Sequence, residues 1–134
     1  MVTITMHYEG DLHCVATHAP SATTLSTDAP ADNQGRGESF SPTDLVATAI
    51  GTCILTTMGI MAQRLGIDLR GATATVEKEM SAAPRRIASL AVTIQMPSAL
   101  AAADQMKLEN AAHTCPVHKS MHPDVAMPIT FSWG

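Results

Sequence analysis

The run from Leu45 to Ala62 carries no charged residue, and that constrains the chain more than any other stretch. Ser41 stands just before it, where a hydroxyl can accept an orphan backbone N–H of a helix start. Pro42 follows at the first helical position, where its missing donor costs nothing. Asp44 falls in the first turn, favourably placed against the helix dipole. Arg64 lies in the last turn, and Gly66 after Leu65 is suited to a left-handed helix end. The stretch therefore predicts one long helix without a charged face, expected to be buried on most sides. A central core helix and a membrane span both fit such a run. Gly51, Gly59 and the threonines 48, 52, 56 and 57, with flanks that read as strands, favour the core helix. Cys53 sits near its middle.

At 134 residues the chain is expected to be one domain, 1–134, long enough to bury a core without staples. Aromatic residues make up only 3%, so the core must be aliphatic, with nine methionines to adapt it. A formal net charge of −4 and the lack of a basic run argue against nucleic acid, which demands clustered Lys and Arg. The first residues show no basic region followed by an apolar block, so no signal peptide is read there and the expected location is cytoplasmic. In a reducing compartment three cysteines are core thiols, metal ligands or redox groups rather than a disulfide framework.

The rest of the chain punctuates itself. Val2 to Tyr8 alternates with period two, Glu9-Gly10-Asp11 turns, and Leu12 to His18 pairs back. Ala22 to Ser26 reads as a short third strand. Thr27 to Phe40, with Pro30, Asn33, Gly35 and Gly37, is a loop that carries Arg36 and Glu38 towards the long helix. Arg70 to Met80 alternates again, with Arg86 to Met96 as its hairpin partner. Arg85 and Arg86 there are a solvated strand start. Pro97-Ser98 opens an amphipathic helix, Cys115-Pro116 a short one, and Met127 to Trp133 closes the chain as a strand. Segregated runs of this kind predict α+β with mostly antiparallel pairing.

Chemistry points first to the cysteines. A thiol reacts as thiolate, and a helix N-terminus lowers its pKa. Cys115 has that placement locally. Cys53, mid-helix, needs a cation from another segment. Arg36 is the nearest in sequence, with Glu38 or Asp44 able to orient it. Such a thiolate attacks a peroxide O–O bond, a second cysteine closes the sulfenic acid to a disulfide, and an external thiol restores the pair. A plain packing role for each thiol is the competing reading, and for Cys14, on a strand, the preferred one. His113, Cys115, His118 and His122 suggest a metal cluster, but Pro123 interrupts the turn that would have to close it.

Ser-Pro-Thr-Asp-Leu at 41–45, Gly-Thr-Cys at 51–53 and Cys-Pro-Val-His-Lys-Ser at 115–120 resemble the OsmC/Ohr family of osmotically induced and organic hydroperoxide resistance proteins. The resemblance spans Gly35 to the C-terminus. It implies an α+β OsmC-like fold: antiparallel sheets around a long buried central helix, in an intertwined homodimer with active sites at the subunit interface. It implies that Cys53 attacks the peroxide and Cys115 resolves it, with an arginine from the N-terminal half, assigned here to Arg36. Peroxidases of the family carry Glu directly after the helix-opening Pro. Here that place is Thr43, and the acid Asp44 comes one residue later, about 100° round the helix. Glu38 is the candidate substitute.

Two functions follow. One is a thiol-dependent peroxidase reducing organic hydroperoxides, with a thiol or dithiol reductant, a second copy of the chain as partner, and no cofactor, metal, nucleic acid or membrane. The other is a non-catalytic OsmC-like protein that binds a small apolar ligand, motivated by Thr43. A metal-binding regulatory role through Cys115 and nearby histidines is the weaker third.

Overall fold

The alternating N-terminal residues form strands, and the sheet they build ends beside the loop that carries Arg36. In the computed structural model, which describes residues 1–134, β1 (Ile4–Tyr8), β2 (His13–His18) and β3 (Thr24–Asp28) make an antiparallel sheet in that order. Met6 pairs with Ala16 and Ala16 with Leu25, so Ile4, Met6, Tyr8, Ala16 and Leu25 share one face, while His13 pairs with Asp28 on the other. β3 begins at Thr24 rather than Ala22. Ala22 has φ +60° and donates its N–H to the His18 carbonyl, and Ser21 Oγ ties His18 Nδ1 at 2.6 Å, so residues 19–23 are spent on the turn. A single 3₁₀ turn, Ala31–Asn33, interrupts the loop that follows.

The chain divides into two compact units, Met1–Val46 and Ala47–Gly134, and the long helix α1 (Pro42–Leu65) runs through the division. Its start is a reciprocal cap. Ser41 Oγ accepts from Asp44 N at 3.1 Å, and Asp44 Oδ2 accepts from Ser41 N at 2.9 Å, the pattern in which two orphan donors satisfy each other's partners. Its end is a Schellman motif: Gly66 at φ +70°, Ile67 N bonded to Ala62 O and Gly66 N to Gln63 O.

The second unit holds β4 (Thr73–Ala82), β5 (Arg85–Met96), α2 (Ala102–Ala112), α3 (Pro116–Ser120) and β6 (Ile129–Trp133). The sheet order is β4-β5-β6. β4 and β5 are antiparallel, but β6 lies parallel to β5, so this sheet is mixed and not antiparallel as expected. The cause is the connection: α2 and α3 lie between Met96 and Ile129, and a long helical crossover is what parallel pairing needs. α2 starts at Ala102, not at Pro97-Ser98; Ala101 caps it without a side-chain bond, and Gln105 Nε2 instead donates to Leu100 O at 2.9 Å.

Buried residues of this unit come from α1 (Ile50, Ile54, Met58, Ala62), β5 (Leu90, Val92, Ile94, Met96) and α2 (Leu108, Ala112). Gly51 lets α1 approach β4, because a Cβ there would sit 3.0 Å from Val76 Cγ2. Only one stripe of α1 is buried, at helical spacing, whereas burial on most sides was expected. By length and composition α1 could cross a membrane, yet its buried stripe lies in the core of the unit. The uncharged outer side stays polar at few points, since Thr52, Thr56 and Thr57 donate their hydroxyls to Thr48, Thr52 and Cys53 carbonyls at 2.8 Å.

A hydrogen-bonded thiol pair as the candidate site

Cys53 and Cys115 meet. Cys53 lies at mid-α1, half-buried, and Cys115 is fully buried as the N-cap of α3. Both are free thiols, and their side chains are hydrogen-bonded to each other. Cys115-Pro116 sets this up locally. Pro116 takes the first helical position, which leaves the N–H groups of Val117 and His118 without helical partners. His118 N donates to Cys115 Sγ at 3.4 Å, and Val117 N–H is turned to the Cys53 sulfur.

The pKa values of the two thiols shift in opposite directions. Burial opposes a charge on Cys53, but the Cys115 thiol and the Val117 N–H beside its sulfur, with the neighbouring Thr57 side chain, hold its pKa below the ordinary thiol value. Burial, and then the Cys53 sulfur beside it, push the Cys115 thiol up, against the His118 and Val117 N–H groups. This reverses the local expectation. The helix start was expected to lower Cys115, and Cys53 was expected to need a cation. One donor from the α3 start serves Cys53 instead, because the two helices bring the sulfurs side by side. Thr57 and Val117 are therefore members of the site that sequence reasoning missed. Thr57 had a signal, since it lies four residues after Cys53 and so on the same face; a backbone donor has none.

Next to the thiols, Thr57 also lines a cleft of about 510 Å³ with Ile60, Met61, Arg64, Lys107 and Thr114, within the size range of small-molecule sites.

Arg36 has a different partner from the one expected. Its Nη2 lies 3.4 Å from Asp28 Oδ1, not on Glu38, which is exposed. Asp44 is engaged in the α1 cap, and Thr43 Oγ1 lies 3.2 Å from Ser41 Oγ. Asp28 is buried at 2% exposure and also holds His13 Nδ1 at 2.6 Å. That hydrogen bond, against the cost of burial and with the charges of His13 and Arg36, keeps the Asp28 carboxyl below the usual carboxylate range. Asp28 and His13 were not singled out from sequence, because they meet only through strand register.

No three His, Cys, Asp or Glu side chains gather at a point that would hold a metal ion. His113 instead makes edge contacts with His118 and Phe131, and His122 lies 3.7 Å from Asp124. Cys14 is half-buried on β2.

Residues 35–130 match the sequence model of a family described as OsmC-like protein. A crystal structure from Psychrobacter arcticus 273-4, described as an osmotic stress induced and detoxification response protein, is 45% identical, covers 98% of this chain and 96% of its own, and superposes with a TM-score of 0.94. An organic hydroperoxide resistance protein OsmC from Legionella pneumophila is 18% identical over 98% and 96% of the two chains, with a TM-score of 0.78. An organic hydroperoxide resistance protein from Elizabethkingia anophelis is 14% identical over 100% and 96%, with a TM-score of 0.79. A search of curated protein sequences returned no match.

Proposed function

This chain belongs to the OsmC-like family, and from that membership we propose that it is a thiol-dependent peroxidase reducing organic hydroperoxides. The observation that carries the reading is the Cys53–Cys115 pair: two thiols from distant segments, hydrogen-bonded, with the more accessible one favoured as thiolate and the buried one disfavoured. That asymmetry suits an attacking and a resolving sulfur.

In this mechanism the Cys53 thiolate attacks one oxygen of the hydroperoxide. The O–O bond breaks, the alkoxide takes a proton and leaves as alcohol, and Cys53 becomes a sulfenic acid. Cys115 then displaces water from that sulfur and a disulfide forms. An external dithiol reduces it by exchange, becoming a disulfide itself. The cleft beside Thr57, walled by Ile60 and Met61, offers room for an alkyl group. Arg36 is the guanidinium assigned to the peroxide oxygens and the developing alkoxide. The active form is a homodimer, and a cytoplasmic setting suits two thiols that must cycle through the reduced state.

The test is turnover of tert-butyl hydroperoxide with a dithiol reductant. Wild type is expected to turn over, Cys53→Ser to lose all turnover, and Cys115→Ser to stop after one oxidation, with a sulfenate that dimedone traps. Full turnover in Cys53→Ser would overturn the assignment. If hydroperoxide yields no Cys53–Cys115 disulfide by mass spectrometry, the ligand-binding reading motivated by Thr43 replaces it.

A further inference from the structure

Asp28 is the one buried carboxylate of the N-terminal unit, and two donors meet on the same oxygen of it. His13 Nδ1 lies 2.6 Å from Oδ1 and Arg36 Nη2 lies 3.4 Å from it. A buried carboxylate persists only where it is paired, because desolvation alone is costly. The backbone around it is equally fixed. Asp28 N donates to Phe40 O at 3.1 Å, Ala29 N to Leu12 O at 3.1 Å, Gly35 N to Pro30 O at 3.0 Å and Gly37 N to Ala29 O at 3.2 Å. The loop from Ala29 to Gly37 is thus closed by its own bonds, and Arg36 leaves it next to the carboxylate. His13 is opposite Asp28 in the β2–β3 register, so the sheet sets their spacing. The outer nitrogen of His13, Nε2, faces Glu9 Oε1 at 3.7 Å. Arg36 keeps 43% of its side chain exposed, so its remaining donors are open to a ligand.

We propose that Asp28, braced by His13, fixes the Arg36 guanidinium, and that Asp28 and His13 are positioning residues for whatever Arg36 binds. As a statement about peroxide chemistry this rests on the reading of the chain as a peroxidase with Arg36 as its guanidinium. It supplies what Thr43 lacks: the carboxylate on the arginine comes from the end of β3, not from the first turn of α1. Glu38 has no part in the clamp.

Two readouts test it. The first is the mobility of the Arg36 side chain, read from its Nε–H signal by nitrogen-15 NMR relaxation. It is expected to be rigid in wild type, loosened in Asp28→Asn, and loosened to a smaller degree in His13→Ala, while His13→Gln, which can still donate to Asp28, stays close to wild type. The second is a double-mutant cycle on the rate of Cys53 oxidation by hydroperoxide. Asp28→Asn is expected to slow it about tenfold, and the Asp28→Asn/Arg36→Gln double variant to be no slower than Arg36→Gln alone. Alkylation of Cys53 by iodoacetamide, which needs no guanidinium, should change less than about twofold in all of them. If Asp28→Asn leaves Arg36 as rigid as before, or slows oxidation equally with and without Arg36, the clamp is overturned. If wild type shows no peroxide-driven oxidation yet Asp28→Asn loosens Arg36, the peroxidase reading fails and the clamp stands. Should Asp28→Asn not fold, His13→Ala against His13→Gln decides: equal mobility of Arg36 in both overturns the proposal.

Discussion

Cys53 and Cys115 are the same residue with pKa shifts in opposite directions, and the difference lies in what surrounds each sulfur. Burial disfavours the thiolate at both positions. At Cys53 the donors outweigh it; at Cys115 the neighbouring sulfur adds to it. Only the thiolate is nucleophilic, so the rate of alkylation rises with pH through the pKa of each thiol. With its pKa below the ordinary value, Cys53 is expected to reach its plateau at lower pH than Cys115, as mass spectrometry after brief iodoacetamide treatment across pH will read. Thr57→Val removes the hydroxyl beside the Cys53 sulfur while keeping the shape. Burial is then less opposed, so the Cys53 midpoint should move up in pH, by less than about one unit for a neutral donor. An unmoved midpoint would remove Thr57 from the account of the thiolate.

The elements carry the second kind of prediction. Ser41 caps α1 reciprocally with Asp44, and Ser41→Ala is expected to cost about 1 kcal/mol of stability, typical of a lost N-cap, read as a lower midpoint in denaturant. An unchanged midpoint would mean that the first turn does not depend on the cap. Ser41 as the cap was legible from sequence, though not the return bond to Asp44, and so were Gly66 as the helix stop and Cys115-Pro116 as the start of α3, because each depends on residues within a turn of each other. The strands β1 and β4 were legible through their alternation, and β2 and β5 as the hairpin partners that follow them. The parallel placement of β6 was not, since period two reports a strand and not its direction. Nor was the unequal burial of α1: an uncharged run looks alike on every side, and the sheet selects the stripe. Chemistry made Cys53 and Cys115 the candidate pair, but nothing in their spacing brings residues 53 and 115 together, and their roles came only from the family resemblance. Arg36 was singled out from sequence, but with Glu38 or Asp44 as its acid, and its joining with Asp28 and His13 escaped. Asp28 and His13 meet by strand register and Arg36 by the path of a loop, and none of the three carries a local motif.

On the scale of the molecule, the apolar surface that the single chain leaves uncovered is the argument for a second copy. Ile4, Met6 and Tyr8 alternate on one face of β1 and are 53%, 65% and 66% exposed, and Ile60 on the uncharged outer side of α1 is 49% exposed. Single exposed apolar residues are ordinary, but a contiguous face of them marks an interaction site. A homodimer is the partner that the family resemblance implies, and it predicts a mass by light scattering near twice the 14.1 kDa of the chain. In a homodimer that buries this face, Met6→Glu would put an unpaired charge into the contact, which is costly, so this variant is expected to be monomeric at concentrations where wild type gives the doubled mass. Hydroperoxide turnover measured on the same samples then says what the pairing is for. Loss of turnover in step with dissociation places the working site at the junction of two chains, whereas a monomer that turns over normally confines the chemistry to the thiol pair and cleft of one.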